Sequence, residues 1–164
     1  MINKKICMLG AFSVGKTSLV EKYVRSLFSD KYLSTVGLKI SKKQLDVDDK
    51  EITLVLWDME GKDDFMDLNI SYLRGAMGFF TVADLTRKET VDMALQIRRV
   101  ALERLGNIPN ILLLNKSDLP NQEVSAEQIE AFDAAGVEIM LTSAKENIGV
   151  EEAFRTLARQ MLEK

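Results

Sequence analysis

Eight residues near the start of the chain, Gly10-Ala11-Phe12-Ser13-Val14-Gly15-Lys16-Thr17, set two glycines, a lysine and a hydroxyl at the spacing Gly-x4-Gly-Lys-[Ser/Thr]. Glycines at 10 and 15 let the backbone curl until consecutive N–H groups face one point, and a helix starting just after them adds the positive end of its dipole. A concavity of that kind suits a ligand with several anionic oxygens, so a nucleotide's phosphates are the first to consider. Ser13, Val14, Gly15, Lys16, Thr17 and Ser18 are the candidate phosphate contacts. Lys16 can reach the outer two phosphates, while the Thr17 hydroxyl can ligate a magnesium ion that keeps most of its waters. The competing reading is a glycine-rich turn whose Lys and Thr cap a helix. Context favours the phosphate loop: the apolar run Ile6 to Leu9 leads in and an amphipathic pattern, Thr17 to Arg25, leads out, which is the strand, loop, helix order the motif requires.

Three further loops carry chemistry at strand ends. Asp58-Met59-Glu60-Gly61 follows the apolar run Ile52 to Trp57 as an Asp-x-x-Gly element, where the carboxylate can hold magnesium through water and the Gly61 N–H can meet a terminal phosphate. By itself this pattern reads equally well as an ordinary loop. Asn115-Lys116-Ser117-Asp118 follows Ile111 to Leu114. The Asp118 carboxylate can accept two hydrogen bonds, from N1–H and the 2-amino group of guanine, whereas adenine presents an acceptor at N1 and has no 2-amino group. The Lys116 stem can cover the base face. Thr142-Ser143-Ala144-Lys145, after another apolar run, can offer a backbone N–H to the guanine carbonyl and a second aliphatic stem. Asn115, Lys116, Asp118, Ser143, Ala144 and Lys145 are therefore the candidate base contacts.

The elements that must position these loops are legible as alternation. Ile6 to Leu9, Ile52 to Trp57, Phe79 to Ala83, Ile111 to Leu114 and Val137 to Leu141 read as strands. Val91, Ala94, Leu95 and Ala101 mark one intervening helix, and Val150, Ala153, Phe154, Leu157 and Met161 mark the last. Leu38 to Val47 and Ile52 to Trp57 flank Asp48-Asp49-Lys50, which predicts a hairpin whose first strand is an antiparallel edge. The expected fold is α/β, a P-loop NTPase with a six-stranded, mostly parallel sheet, one antiparallel edge strand and helices on both faces. In such a sheet ligands bind beyond the carboxyl ends of the strands, where every candidate loop falls.

Composition narrows the partners. At 164 residues the chain reads as one domain, 1–164, able to bury a sizeable core without staples. Lys plus Arg number 22 against 25 Asp plus Glu, a formal charge of -3, so no general attraction to nucleic acid or to an acidic membrane is expected. The single cysteine, Cys7, lies in the first apolar run and reads as core in a reducing compartment. With no histidine in the sequence, chemistry falls to carboxylates, Lys, backbone donors and a bound ion. Lys4-Lys5 before four apolar residues is too short for a signal peptide, and no run approaches the length of a transmembrane span. The final Met161-Leu162-Glu163-Lys164 carries no cysteine for prenylation, so no lipidation motif is expected in this chain, a removed tail being equally compatible. With no signal peptide, its expected place is the cytoplasm.

The order and placement of these motifs resemble the small Ras-like GTPases over essentially the whole chain, with a Rab-like flavour in Tyr32-Leu33-Ser34-Thr35-Val36-Gly37 and Tyr72-Leu73-Arg74-Gly75-Ala76-Met77-Gly78. The resemblance implies GTP or GDP and magnesium as cofactors, and a catalytic set of Lys16, Thr35, Gly61 and Lys62. It further implies that Thr35 completes the magnesium shell alongside Thr17 and Asp58 when the third phosphate is present, that Phe28 packs against guanine, and that Tyr32 closes over the phosphates. Segments 28–39 and 60–74 would order around a terminal phosphate and relax when it leaves, offering different surfaces to effector, exchange-factor and activator proteins.

Three departures from the family pattern converge on the terminal phosphate. Lys62 stands where the family has glutamine, and an ammonium has donors but no acceptor with which to orient an attacking water. Phe12 occupies a phosphate-loop position where the family has a small residue, and its ring can exclude an arginine finger supplied by a partner. Glu60 places a carboxylate next to the glycine; about 5 Å from a phosphate, it costs about 3 kcal/mol per unit charge at an effective dielectric of about 20. Lys62 can instead neutralise Glu60, or supply positive charge to the transition state. The expected function is a guanine-nucleotide switch with slow GTP hydrolysis. The alternatives are a hydrolysis-deficient, nucleotide-bound effector module and an adenine-nucleotide kinase or ATPase, the latter leaving Asn115, Lys116 and Asp118 without a purpose.

Overall fold

The computed structural model describes residues 2–25, 31–35, 38–59 and 70–163, with side chains outside the description also at 31–35 and at 70. Its strands are β1 (Ile2–Gly10), β2 (Lys31–Thr35), β3 (Leu38–Val47), β4 (Lys50–Met59), β5 (Gly78–Asp84), β6 (Asn110–Asn115) and β7 (Ile139–Leu141). Its helices are α1 (Lys16–Arg25), α2 (Ile70–Leu73), α3 (Lys88–Leu105), α4 (Ala126–Ala134) and α5 (Val150–Leu162). One sheet runs in the order β2-β3-β4-β1-β5-β6-β7. The strands from β4 to β7 pair in parallel and β3 runs antiparallel to β4.

The six expected strands are all present. A seventh, β2, adds to the edge that Leu38–Val47 was expected to form, pairing antiparallel with β3 through Lys31↔Ser41 and Tyr32↔Ile40. The strand expected over 137–141 contracts to Ile139–Leu141, because Val137 turns its N–H back to the Phe132 carbonyl at 3.0 Å. The β3–β4 hairpin closes through Asp48 and Asp49 at φ of 50° and 65°, with Val47 paired to Lys50. Two consecutive left-handed residues are what a two-residue turn needs to match the twist of its strands.

The central strands are mostly apolar because both faces of the sheet are covered. Every residue of β5 is buried. Ile6 and Met8 of β1 face α1 and α5, where Tyr23 stacks on Phe154 with ring centroids 4.0 Å apart. Cys7 and Leu9, the alternate residues, face α2 and α3. The Cys7 thiol is fully buried, as expected of a core residue, and burial pushes its pKa up to about 12. A third cluster joins α3, α4 and the β6 side through Val91, Ala94, Leu112 and Leu114. Parallel pairing then brings the ends of β1, β4, β5 and β6 to one rim, and the candidate loops leave from it.

Candidate functional site

The loop from β1 to α1 turns on Gly10, Ser13 and Gly15, at φ of 150°, 61° and 104°. Two of these positions admit no side chain. A Cβ on Gly10 would stand 2.5 Å from the Val82 carbonyl oxygen, and one on Gly15 would run into the Asn115 amide. Lys16 folds back over the loop, its Nζ donating to the Gly10 carbonyl at 2.7 Å and the Ala11 carbonyl at 3.4 Å. That posture holds an ammonium above the concave side of the loop, where a phosphate would sit.

The outer side of the same loop is gripped by other elements. Asn115, buried at the end of β6, donates Nδ2–H to the Val14 carbonyl at 2.9 Å. Its Oδ1 accepts from the Thr142 hydroxyl at 3.1 Å and the Ala144 N–H at 3.3 Å, so one amide ties the phosphate loop to the loop after β7. Lys116, itself at φ of 65°, donates to the Ser13 carbonyl at 3.1 Å and pairs with Asp84 at 2.9 Å. Asp84 ends β5 and is buried. Burial pushes its carboxyl upward, but hydrogen bonds from the Thr86 hydroxyl, Lys116, the Thr86 N–H and Arg87 outweigh it and hold the group at about 2. Asp84 is thus a fixed anion that orients two cations, Lys116 and Arg87.

A cavity of about 190 Å³ opens between these loops, lined by Gly15, Ser18, Asn115, Lys116, Asp118, Leu119, Ala144 and Lys145. Asp118 Oδ1 accepts from the Ser143 hydroxyl at 2.8 Å, which aims the carboxylate from behind. Ser143 is itself fully buried and also caps the turn by accepting from the Glu146 N–H at 3.1 Å. Residues that the sequence separates by about a hundred positions therefore line one cavity, with the phosphate loop at one end and the Asp118 carboxylate at the other.

The remaining corner lies at the end of β4. Thr17 Oγ1 donates to Asp58 Oδ2 at 2.6 Å, and Asp58 is fully buried. Hydroxyl and carboxylate oxygens together form a hard donor set, the kind magnesium selects. The residues present thus fit such an ion.

Most of the sequence-predicted residues come together here. Ser13, Val14, Gly15, Lys16, Thr17 and Ser18 form or border the loop, and Asn115, Lys116, Asp118, Ser143, Ala144 and Lys145 form or support the cavity. Asn115 and Ser143 make their described bonds to neighbouring protein groups, which holds the loops together. Tyr32 and Thr35 lie in β2 by their backbone, and their side chains are outside the described residues. Phe28, Glu60, Gly61 and Lys62 also lie outside them. Sequence reasoning missed Asp84, Arg87 and Leu119. The one signal for Asp84 and Arg87 was an i, i+3 Asp and Arg at the end of a buried strand, where an acid can turn the chain and pair locally.

The sequence profile of the Ras family matches residues 5–163. The chain is 35% identical over 164 residues to the Ras-related protein Rab-8 of Diplobatis ommata, covering 98% of this chain and 78% of that one. It is 36% identical over 166 residues to the Ras-related protein Rab-7a of Dictyostelium discoideum, with 96% and 82% covered. Against the GTP-binding protein ypt2 of Schizosaccharomyces pombe the identity is 34% over 160 residues, with 96% and 80% covered.

Proposed function

The chain belongs to the Ras family as a Rab-like small GTPase, and from that premise we propose that it is a guanine-nucleotide switch whose hydrolysis of GTP is slow. The observation that supports this reading most is the shared cavity, where Gly15 and Ser18 stand across from Asp118, Lys116 and Lys145. The phosphate-loop side offers oriented N–H groups to phosphates, with the Lys16 ammonium folded over the loop, and the other side offers a carboxylate to the N1–H and 2-amino group of guanine. Ras-family GTPases bind GTP or GDP, typically with magnesium. When bound, the ion supplies charge compensation to the phosphates; Thr17 would hold it directly, Asp58 through water, and Thr35 once the third phosphate is in place.

Slow hydrolysis rests on Lys62, Glu60 and Phe12. Lys62 cannot accept a proton or a hydrogen bond from an attacking water, so hydrolysis would depend on charge compensation from Lys16 and on the Gly61 N–H at the terminal phosphate, with a bound ion supplying further positive charge. The rate expected without a partner is on the order of 10⁻⁴ per second or below, as for unassisted members of the class. The segments around Thr35 and Gly61 would then present the nucleotide state to effector, exchange-factor and activator proteins. The second reading, a module that keeps its nucleotide and does not turn over, draws on the same three residues.

The test is to denature the purified protein after incubation with GTP and magnesium and to identify the guanylate released over time. Slow conversion to GDP supports the switch, persistent GTP supports the hydrolysis-deficient module, and release of adenylates or of no nucleotide overturns both. Lys62→Gln is expected to accelerate single-turnover hydrolysis. A rate near one per second in the unsubstituted protein, or a slower Lys62→Gln variant, would refute the assignment of Lys62 as the limiting departure.

A further inference from the structure

Three consecutive carbonyls on the outer side of the phosphate loop are each held by a donor from elsewhere in the chain. Asn115 holds Val14, Lys116 holds Ser13, and Arg87 Nη2 holds Phe12 at 2.9 Å. A trans peptide unit is planar, with its C=O and its N–H pointing in opposite directions. Pulling a carbonyl outward therefore turns the N–H of the following residue inward, toward the concave side. Arg87 sets the direction of the Ser13 N–H, Lys116 that of Val14 and Asn115 that of Gly15.

Asn115 and Lys116 belong to the base-binding loop, but Arg87 comes from the turn between β5 and α3 and has no part in that loop. Its placement is over-determined. The Arg87 N–H donates to the Asp84 carbonyl at 3.0 Å, its Nε donates to Asp84 Oδ2 at 3.0 Å, and its carbonyl accepts from Thr90 Oγ1 at 2.7 Å. The guanidinium fork then spans from the buried carboxylate to the Phe12 carbonyl, a bridge that a single ammonium is too compact to make in the same way. Lys116 shares the same Asp84 oxygen at 2.9 Å, so one carboxylate fixes the cations that grip two successive peptides.

We propose that Arg87 is a positioning residue for phosphate binding, which through the Phe12 carbonyl turns the Ser13 N–H onto the anion in the loop. The inference rests on the phosphate-loop reading above and adds to it a third tether supplied from outside the nucleotide-contacting loops. The Ser13 backbone, held in the left-handed region at φ of 61°, needs such a tether because a non-glycine residue there leans toward other conformations once released.

The experiment uses the full chain loaded with GDP and magnesium, comparing the unsubstituted protein with Arg87→Ala and Arg87→Lys. GDP dissociation should accelerate about fivefold in Arg87→Ala, the worth of about one net hydrogen bond. In amide proton spectra of the GDP complex, the Ser13 proton should move upfield while those of Val14 and Gly15 stay near their original positions. Arg87→Lys keeps a cation beside Asp84 and guards against a variant that fails to fold; it should also lose the Ser13 signature. Dissociation and Ser13 shifts unchanged in both variants overturn the inference while leaving GDP binding intact. Equal shifts at Ser13, Val14 and Gly15 also overturn it, since they mark a general loosening of the loop. An unsubstituted protein that binds no GDP overturns the functional reading itself, and the inference with it.

Discussion

The two ends of the site are built differently. At the ends of β6 and β7, Asn115, Lys116, Asp118 and Ser143 are already bonded to protein groups that hold them in place, from the Val14 and Ser13 carbonyls to Thr142 and Asp84. At the end of β4, a buried carboxylate, Asp58, meets the Thr17 hydroxyl at 2.6 Å, and on the proposed function its geometry is finished by an ion and phosphate oxygens. A purine is the same in both nucleotide states, so a preorganised base site lowers the cost of binding either. A terminal phosphate comes and goes, so the corner that senses it gains from depending on the ligand. The contrast predicts that lesions at the base end weaken every guanylate alike, whereas lesions at the metal corner act most strongly where magnesium is present.

The largest expected effect breaks the base end. Asp118→Asn replaces an acceptor of two hydrogen bonds with an amide that can accept one and donate one. The bond lost and the two donors left facing each other cost about 2 kcal/mol each, so GDP affinity should fall about a thousandfold. Xanthine, which carries a carbonyl where guanine has its amino group, should gain. Competition calorimetry with GDP and xanthosine diphosphate reads both changes, and an unaltered preference for guanine would remove Asp118 from base recognition.

The base end also shows what the sequence withheld. Gly10, Gly15, Lys16 and Thr17 were legible because their spacing is local and each residue type answers one demand of the loop. Asp118 and Asn115 were legible because they follow an apolar strand whose parallel pairing fixes where its end must lie. Asp84 and Arg87 were not, because Asp-Leu-Thr-Arg is ordinary turn chemistry and the partners that give it meaning, Phe12 and Lys116, are supplied by tertiary packing. The edge strand β2 escaped for another reason: its pairing with β3 is a matter of backbone ladder, and Lys31–Thr35 carries no apolar alternation to announce it.

Asp84 gives the second effect in size. Its carboxyl is held at about 2 against an ordinary 3.8. A depressed acid stabilises the fold above its unfolded value and loses that contribution as the solution is acidified through its folded value, so the relevant window runs from about pH 4 down to about pH 2. The shift corresponds to stabilisation on the order of 2 kcal/mol. Denaturant unfolding of Asp84→Asn should therefore fall short of the unsubstituted protein by about that amount near pH 6, with the gap closing toward pH 2. A gap that stays constant with pH would mean that the variant suffers from altered packing and that the charge on Asp84 is incidental.

The finest test of the contrast compares two threonines that each donate one hydroxyl hydrogen bond within the site. Thr17→Val removes the donor to Asp58 and the proposed ion ligand, and GDP should dissociate about tenfold faster in magnesium, as expected for a contact to charged groups. In chelator the ion contact is already gone and only the hydrogen bond to Asp58 is left to lose, so the variant's effect should shrink to about twofold. Thr142→Val removes the 3.1 Å bond to Asn115 Oδ1, leaving the Ala144 N–H on that oxygen at 3.3 Å, and should accelerate dissociation about fivefold. That smaller effect should be the same with and without magnesium, since Asn115 reaches the loop through the Val14 carbonyl and never through the ion. A Thr142→Val variant whose effect vanished in chelator would erase the distinction between a prebuilt base end and a ligand-completed metal corner.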